Sequence, residues 1–292
     1  MESPVGIESF VATVSGYNGL ANAVVVQTAE GLQVDLQDFR NSRVYTVVSS
    51  AETTTVREID PNAGRITPSA LLVPEAVGGT VEIATPKSGK ALTAVDQSST
   101  VVDILVGYDT GAAAWARANG GGLQNFAATA VAKMNTALAN NGLDASFRFR
   151  LVGTTEISAS ATDVHEALNA VRDGESGWAA VKTKRDEVGA DVVTVLIDTG
   201  SAYGTTGVGW SLARLDFASF SESAYNVCAV RSVAQSHTMT HEVGHNMGTG
   251  HATAVNPKEI TPGPQLYDYS AGYHFTANGT AYHTIIWTSP VF

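Results

Sequence analysis

Cysteine is almost missing from this 292-residue chain: Cys228 stands alone, so no disulfide can form within it. That removes the usual mark of an oxidising compartment and leaves export open. A lone thiol in an apolar stretch reads as packing. Basic residues are also few. Against 28 Asp and Glu stand 17 Lys and Arg, a net charge of -11, which argues against a nucleic-acid backbone as partner and favours solubility. No stretch approaches 18 consecutive apolar residues, so no segment is suited to span a membrane. The opening Met-Glu-Ser-Pro-Val-Gly lacks the basic-then-apolar pattern of a signal peptide. Methionine occurs at Met1, Met134, Met239 and Met247 and not beyond. With 44% hydrophobic and 15% charged residues, the composition is that of a packed protein of one large domain or two ordinary ones.

The first ninety-odd residues differ from the rest. The runs 23–28, 43–48 and 53–59 are short and β-branched, divided by turn signals such as Asp60-Pro61-Asn62 and Gly78-Gly79. Residues 85–99 have linker composition. Residues 1–98 therefore read as a small β-rich N-terminal domain, and residues 99–292 as a second domain. There, apolar runs at 101–106 and 192–197 read as buried strands and the alternating 146–151 as a half-buried one. Helical spacing covers 124–140, 162–171 (with Thr162 or Ser160 as cap) and 178–188, the last stopped by Gly189. Trp210-Ser211-Leu212 and 226–230 read as further strands, and another helix starts near Ser236. Strands interleaved with helices imply an α/β (α+β) domain with a mixed twisted sheet.

The most informative stretch is His241-Glu242-Val243-Gly244-His245-Asn246-Met247-Gly248-Thr249-Gly250-His251. At average residue usage, chance yields its five fixed positions in roughly one chain of this length in 10^5. His241 and His245, four apart, share one helix face, so both rings can reach one metal ion. Six residues on, His251 would leave that face if the helix continued. Gly248 supplies a residue able to end the helix in the left-handed conformation and bring His251 back as third ligand. Three protein ligands describe an open site that leaves a position for water. Glu242 sits about 100° round the helix from His241, beside the metal more than at it, where a carboxylate can accept a proton.

This stretch resembles the zinc signature of the metzincin metalloproteases, and His245-Asn246-Met247-Gly248 is most similar to the adamalysin or reprolysin branch. From about Val101 the order of segments resembles bacterial reprolysin-like enzymes, including the peptidyl-Asp metalloendopeptidase group. The resemblance implies a Zn²⁺-dependent endopeptidase with His241, His245 and His251 as ligands and Glu242 as general base. It also implies a protein or peptide substrate, a secreted monomer, and a zymogen in which residues 1–98 are a propeptide. Two departures stand out: Ala252 follows the third histidine where adamalysins carry Asp, and Ile286 stands where the family has a turn methionine. They motivate the alternative of a non-catalytic binding module on a metzincin scaffold, and an accessory adhesion or carbohydrate-binding role is the alternative for residues 1–98. Related domains continue beyond the position of Phe292, so the C-terminus reads as trimmed.

Lesser candidates have blander readings. His237 lies one turn before His241, too far along the axis to share the ion, and reads as a solvent-facing or helix N-terminal residue. His274 and His283 lie where a supporting role beneath the site is conceivable, and His165 reads as a surface residue. Gly204 to Gly209 lacks the lysine of a phosphate-binding loop, so it reads as a hairpin or cleft-rim loop. Tyr267-Asp268-Tyr269 could line a pocket or pack in the core. With no cysteine in the N-terminal part, a blocking ligand for the zinc would be an oxygen donor, for which Asp35, Asp38 and Asp60 are candidates.

Overall fold

Five short strands open the fold as an antiparallel meander: β1 (Glu8–Thr13), β2 (Ala21–Thr28), β3 (Gly31–Asp38), β4 (Arg43–Ser49) and β5 (Thr54–Ile59), paired in chain order. The computed structural model describes residues 8–13, 21–38, 41, 43–59, 70–72, 100–200, 204–212, 221, 224–256, 259–262, 265–267, 269–277 and 279–286. The predicted linker at 85–99 and candidate Asp60 lie outside them. Thr28 faces Gly31 across a two-residue turn. There Gly31 has φ +131°, and a Cβ would meet the Ser49 carbonyl oxygen at 2.4 Å, so the turn requires glycine.

The second sheet has the order β6-β10-β11-β9-β7-β8. Its members are β6 (Ala70–Leu72), β7 (Thr100–Tyr108), β8 (Phe147–Glu156), β9 (Val192–Ile197), β10 (Gly207–Trp210) and β11 (Tyr225–Ala229). It is mixed, as expected: β8, β7, β9 and β11 pair in parallel with one another, while β10 is antiparallel to β11 and parallel to β6. α1 (Thr110–Asn119) and α2 (Leu123–Asn140) connect β7 to β8, and α3 (Val164–Asp173) and α4 (Ala179–Val188) connect β8 to β9. The two helix pairs cover opposite faces, each with its own apolar core. After β11 come α5 (Val230–Gln235) and α6 (Thr238–Asn246), then the hairpins β12 (Ala252–Asn256) with β13 (Glu259–Pro262) and β14 (His274–Ala277) with β15 (Thr280–His283).

Several predicted bounds shift for local reasons. α1 was not anticipated. It is capped by Asp109, whose Oδ1 accepts from the Ala112 amide at 2.6 Å. The cap of α3 is Asp163, accepting from His165 and Glu166, rather than Thr162 or Ser160. The strand expected at Trp210 to Leu212 begins earlier, so half of the glycine-rich run is β10 rather than loop. The helix expected from Ser236 starts at Thr238, because α5 ends at Gln235 and Ser236 has extended backbone.

α2 is the wall shared by both sheets. Its Met134 shares one core with Phe149 of β8 and with Val24 and Val26 of β2. Gly122 precedes the helix with no side chain to cap it, and Glu30 does so from the meander. Glu30 Oε2 accepts from the Gln124 and Asn125 amides at 2.9 and 3.1 Å, placing a carboxylate at the positive end of the helix. Lys133 on α2 reaches Asp35 on β3 at 3.5 Å and donates to the Val233 carbonyl at 3.2 Å.

Candidate metal centre

α6 is held beneath the second sheet by Asn246. Its Nδ2 donates to the carbonyls of Trp210 on β10 and Tyr225 on β11, at 2.9 and 3.0 Å, and its Oδ1 accepts from Asn226 at 2.8 Å. The Leu212 amide donates to the His245 carbonyl. The helix then ends as predicted. Gly248 has φ +90°, and a Cβ there would meet Leu266 at 2.7 Å, so glycine turns the chain and admits a close neighbour.

That turn brings three rings together. The Nε2 atoms of His241, His245 and His251 are 2.9 to 3.1 Å apart. The Nδ1 of His241 faces the Ile285 carbonyl and that of His245 the Thr249 carbonyl, both at 2.8 Å. A carbonyl only accepts, so each Nδ1 carries a proton and the Nε2 lone pairs point into a common space. Lone pairs crowded this closely repel unless a cation lies among them. Zinc at its usual Zn–N length of about 2.0–2.1 Å sets tetrahedral nitrogens about 3.3 Å apart, close to the spacing here. The donor set thus fits a divalent metal, and no carboxylate or fourth side chain joins it among the described residues. Burial, the largest influence, lowers the pKa of all three rings, with His241 also acting on the other two; His245 falls to about 3 and His251 to about 4. Neutral imidazole is the form that ligates a metal.

Glu242 is buried under β10. A Cβ on Gly207 would stand 2.6 Å from Glu242 Oε1, and one on Gly209 2.9 Å from the Glu242 carbonyl oxygen. Two glycines in one four-residue strand are therefore the space this carboxylate occupies. Gly207→Ala should lower stability by about 1–3 kcal/mol through overpacking, read as a drop in urea midpoint. An unchanged midpoint would show that the carboxylate moves aside freely. Ile286 does underlie the helix: its Cδ1 would be 3.2 Å from a Cβ on Gly244, so an apolar side chain occupies the floor. The supporting carbonyls of Ile285 and Thr249, and the bridging role of Asn246, carried no signal in their side-chain chemistry or spacing. Gly207 and Gly209 did, as a Gly-x-Gly inside an apolar run.

The remaining candidates stay apart from the three rings. His237 is the N-cap residue of α6, with Nε2 3.3 Å from Gln37 Oε1 of the meander. Burial, reinforced by Lys133, takes its pKa down to about 3. His283 is exposed, beside the Thr284 carbonyl, and His274 faces it across the β14–β15 hairpin. His165 is half-buried on α3. Tyr267 and Tyr269 are exposed and stacked on each other at 5.3 Å, not packed in the core. Asp35 pairs with Lys133 and Asp38 accepts from Asn41, so both serve the meander. Cys228 is fully buried.

No curated protein matches the chain. A solved structure described as "Structure of a chaperone-substrate complex" is similar over 78% of this chain and 33% of that one, with 19% identity and a TM-score of 0.43. The chain thus spans about a third of that chain's length. The family model of the reprolysin-type metallo-peptidases, family M12, matches residues 98–283, more than half of the chain and all of the three-histidine centre. The chain belongs to metallo-peptidase family M12.

Proposed function

We propose that the protein is a zinc-dependent endopeptidase in which His241, His245 and His251 hold the ion and Glu242 is the general base. The observation that carries this is the convergence of three imidazoles, His241 and His245 from α6 and His251 from beyond its end, with a buried carboxylate on that same helix. Bound there, zinc would supply Lewis acidity, polarising a peptide carbonyl and acidifying water. Glu242 accepts the proton of the attacking water and passes it to the departing amine, which leaves as a neutral product. The carbonyls of Ile285 and Thr249 fix the tautomers of His241 and His245, so their ligating nitrogens stay unprotonated.

Residues 1–98 serve as a propeptide, in this reading, and residues 99–292 as the catalytic domain. No helix of the described residues is long and apolar enough to cross a membrane, and peptidases of this family are often extracellular, in keeping with a secreted protein. The segment order that resembles bacterial peptidyl-Asp endopeptidases extends the reading to that group.

The test is hydrolysis of casein or a peptide library with chelator, then with zinc restored. Cleavage should fall to background on chelation and return with about one zinc per chain, the stoichiometry of a single open site. Zinc binding without any cleavage would instead support a binding module on this scaffold.

A further inference from the structure

The meander touches the turn between α1 and α2 at several points and parts from it between them. Val48 of β4 meets Gly121, where a Cβ would stand 3.0 Å from Val48 Cγ1, and Glu30 lies against Gly122. Arg57 of β5 donates to the side-chain oxygen of Asn119 at the end of α1. Among these contacts lies a cavity of about 440 Å³. Its lining includes Thr55 and Arg117, both exposed, so solvent reaches it. We propose that this cavity binds a sugar acid, a small hydroxyl-rich body with one carboxylate, and that Arg57 holds the carboxylate. The site is apart from the three histidines and does not depend on the peptidase reading.

One wall follows from strand register. β4 and β5 set Thr46 opposite Arg57 and Val48 opposite Thr55, so these four side chains share a face, and all four line the cavity. Asn119 orients the arginine. Its Nδ2 donates to the Trp115 carbonyl at 2.8 Å, which leaves Oδ1 for the guanidinium. That contact uses only Nη1 of Arg57; Nε and Nη2 have no partner among the described residues. Adjacent guanidinium N–H groups of this kind take a carboxylate through two parallel hydrogen bonds. Paired only with a neutral amide, the half-buried Arg57 carries a charge that no side chain beside it balances.

The rest of the lining selects the ligand class. Arg117 is already paired with Glu156, and the Glu30 carboxylate caps α2. One positive charge remains, which matches a carboxylate better than a phosphate monoester of charge near −2. The hydroxyls of Thr46 and Thr55 line the cavity with no partner among the described residues. Each can donate and accept, as ligand hydroxyls require. No aromatic side chain lines the space, so a nucleobase finds no ring to stack on. The lining is also too polar for an apolar ligand, while the volume falls within the roughly 300–1,000 Å³ of small-molecule sites.

The test is calorimetric titration of the full chain with D-glucuronate, D-galacturonate and D-gluconate, at least one of which should bind saturably. D-Glucose and acetate each lack half of the chemistry and should bind about tenfold more weakly or not at all. Arg57→Gln should weaken sugar-acid binding about tenfold or more, the weight of a hydrogen bond to a charged group. Thr55→Val, at an exposed position where the fold is not at risk, should weaken it about threefold, the weight of a neutral hydrogen bond. With the sugar acid bound, hydrogen exchange should slow in both walls, residues 46–57 and 117–122. No saturable binding by any of the three sugar acids overturns the proposal, as does acetate binding as tightly as they do. Affinity unchanged in Arg57→Gln or in Thr55→Val, or protection confined to other segments, overturns it equally.

Discussion

Glu242→Gln should lower kcat by about 10²–10⁴-fold, the usual weight of a general acid–base group, while the zinc content stays that of the parent. The substitution keeps size and burial, so the glycines of β10 still accommodate the side chain. What it removes is the ability to take a proton from water and return it to the amine. Fluorogenic peptide kinetics and elemental analysis on the same sample measure the two quantities. A variant as active as the parent would remove Glu242 from the chemistry, and a variant without zinc would make it a ligand rather than a base.

The second large effect concerns the contact between the two sheets. Lys133 and Asp35 are 5% and 3% exposed, 3.5 Å apart. Asp35 Oδ1 is buried with no hydrogen-bond partner among the described residues. Lys133→Met strands the carboxylate in the core and should cost about 3–5 kcal/mol, whereas Lys133→Met/Asp35→Leu, which removes both charges, should recover most of it. Urea denaturation of the parent, both single variants and the double variant measures the coupling. Burial already raises the pKa of Asp35, against the pull of Lys133, and loss of the lysine removes that pull. The folded pKa then lies further above the unfolded value of about 3.9. Between the two, the folded state binds more protons, so stability is present at low pH and lost as pH rises through the window. The Lys133→Met defect should accordingly be smaller at pH 4 than at pH 7. A defect that is the same at both would show that Asp35 stays neutral or finds water.

The site was far more legible in the sequence than its surroundings. Fixed spacing on a helix dictates that His241 and His245 share a face, and Gly248 marks the turn that returns His251, so the three-ring cluster followed from local geometry alone. Strands 21–28, 43–49, 100–108 and 192–197 were legible because they are β-branched or continuously apolar. α1 was missed because Gly-Ala-Ala-Ala carries little periodicity and its cap is a single aspartate. The contacts that hold the site were not legible for another reason. Asn246 bridges two strands, Ile285 and Thr249 act through backbone carbonyls, and Glu30 caps a helix 94 residues away. Such partners are set by tertiary packing, which no local pattern encodes. The pairing of β6 with β10 belongs to the same class, since three residues among turn-forming neighbours do not announce a strand.

α2 also bears on the order in which the chain takes shape. Every pairing of the meander joins strands adjacent in sequence, the kind of local contact that forms fast. A chain made from its N-terminus completes that sheet before α2 has left the ribosome. An 18-residue helix rich in alanine is marginal by itself, yet it emerges opposite a face that already presents Val24, Val26 and the Glu30 carboxylate. The helix is thus received by a surface prepared in advance, and its Phe126 and Met134 join the same core as β7 and β8. A chain synthesised without residues 1–59 would keep all three histidines and Glu242 and lose the surface against which the wall beneath them first settles.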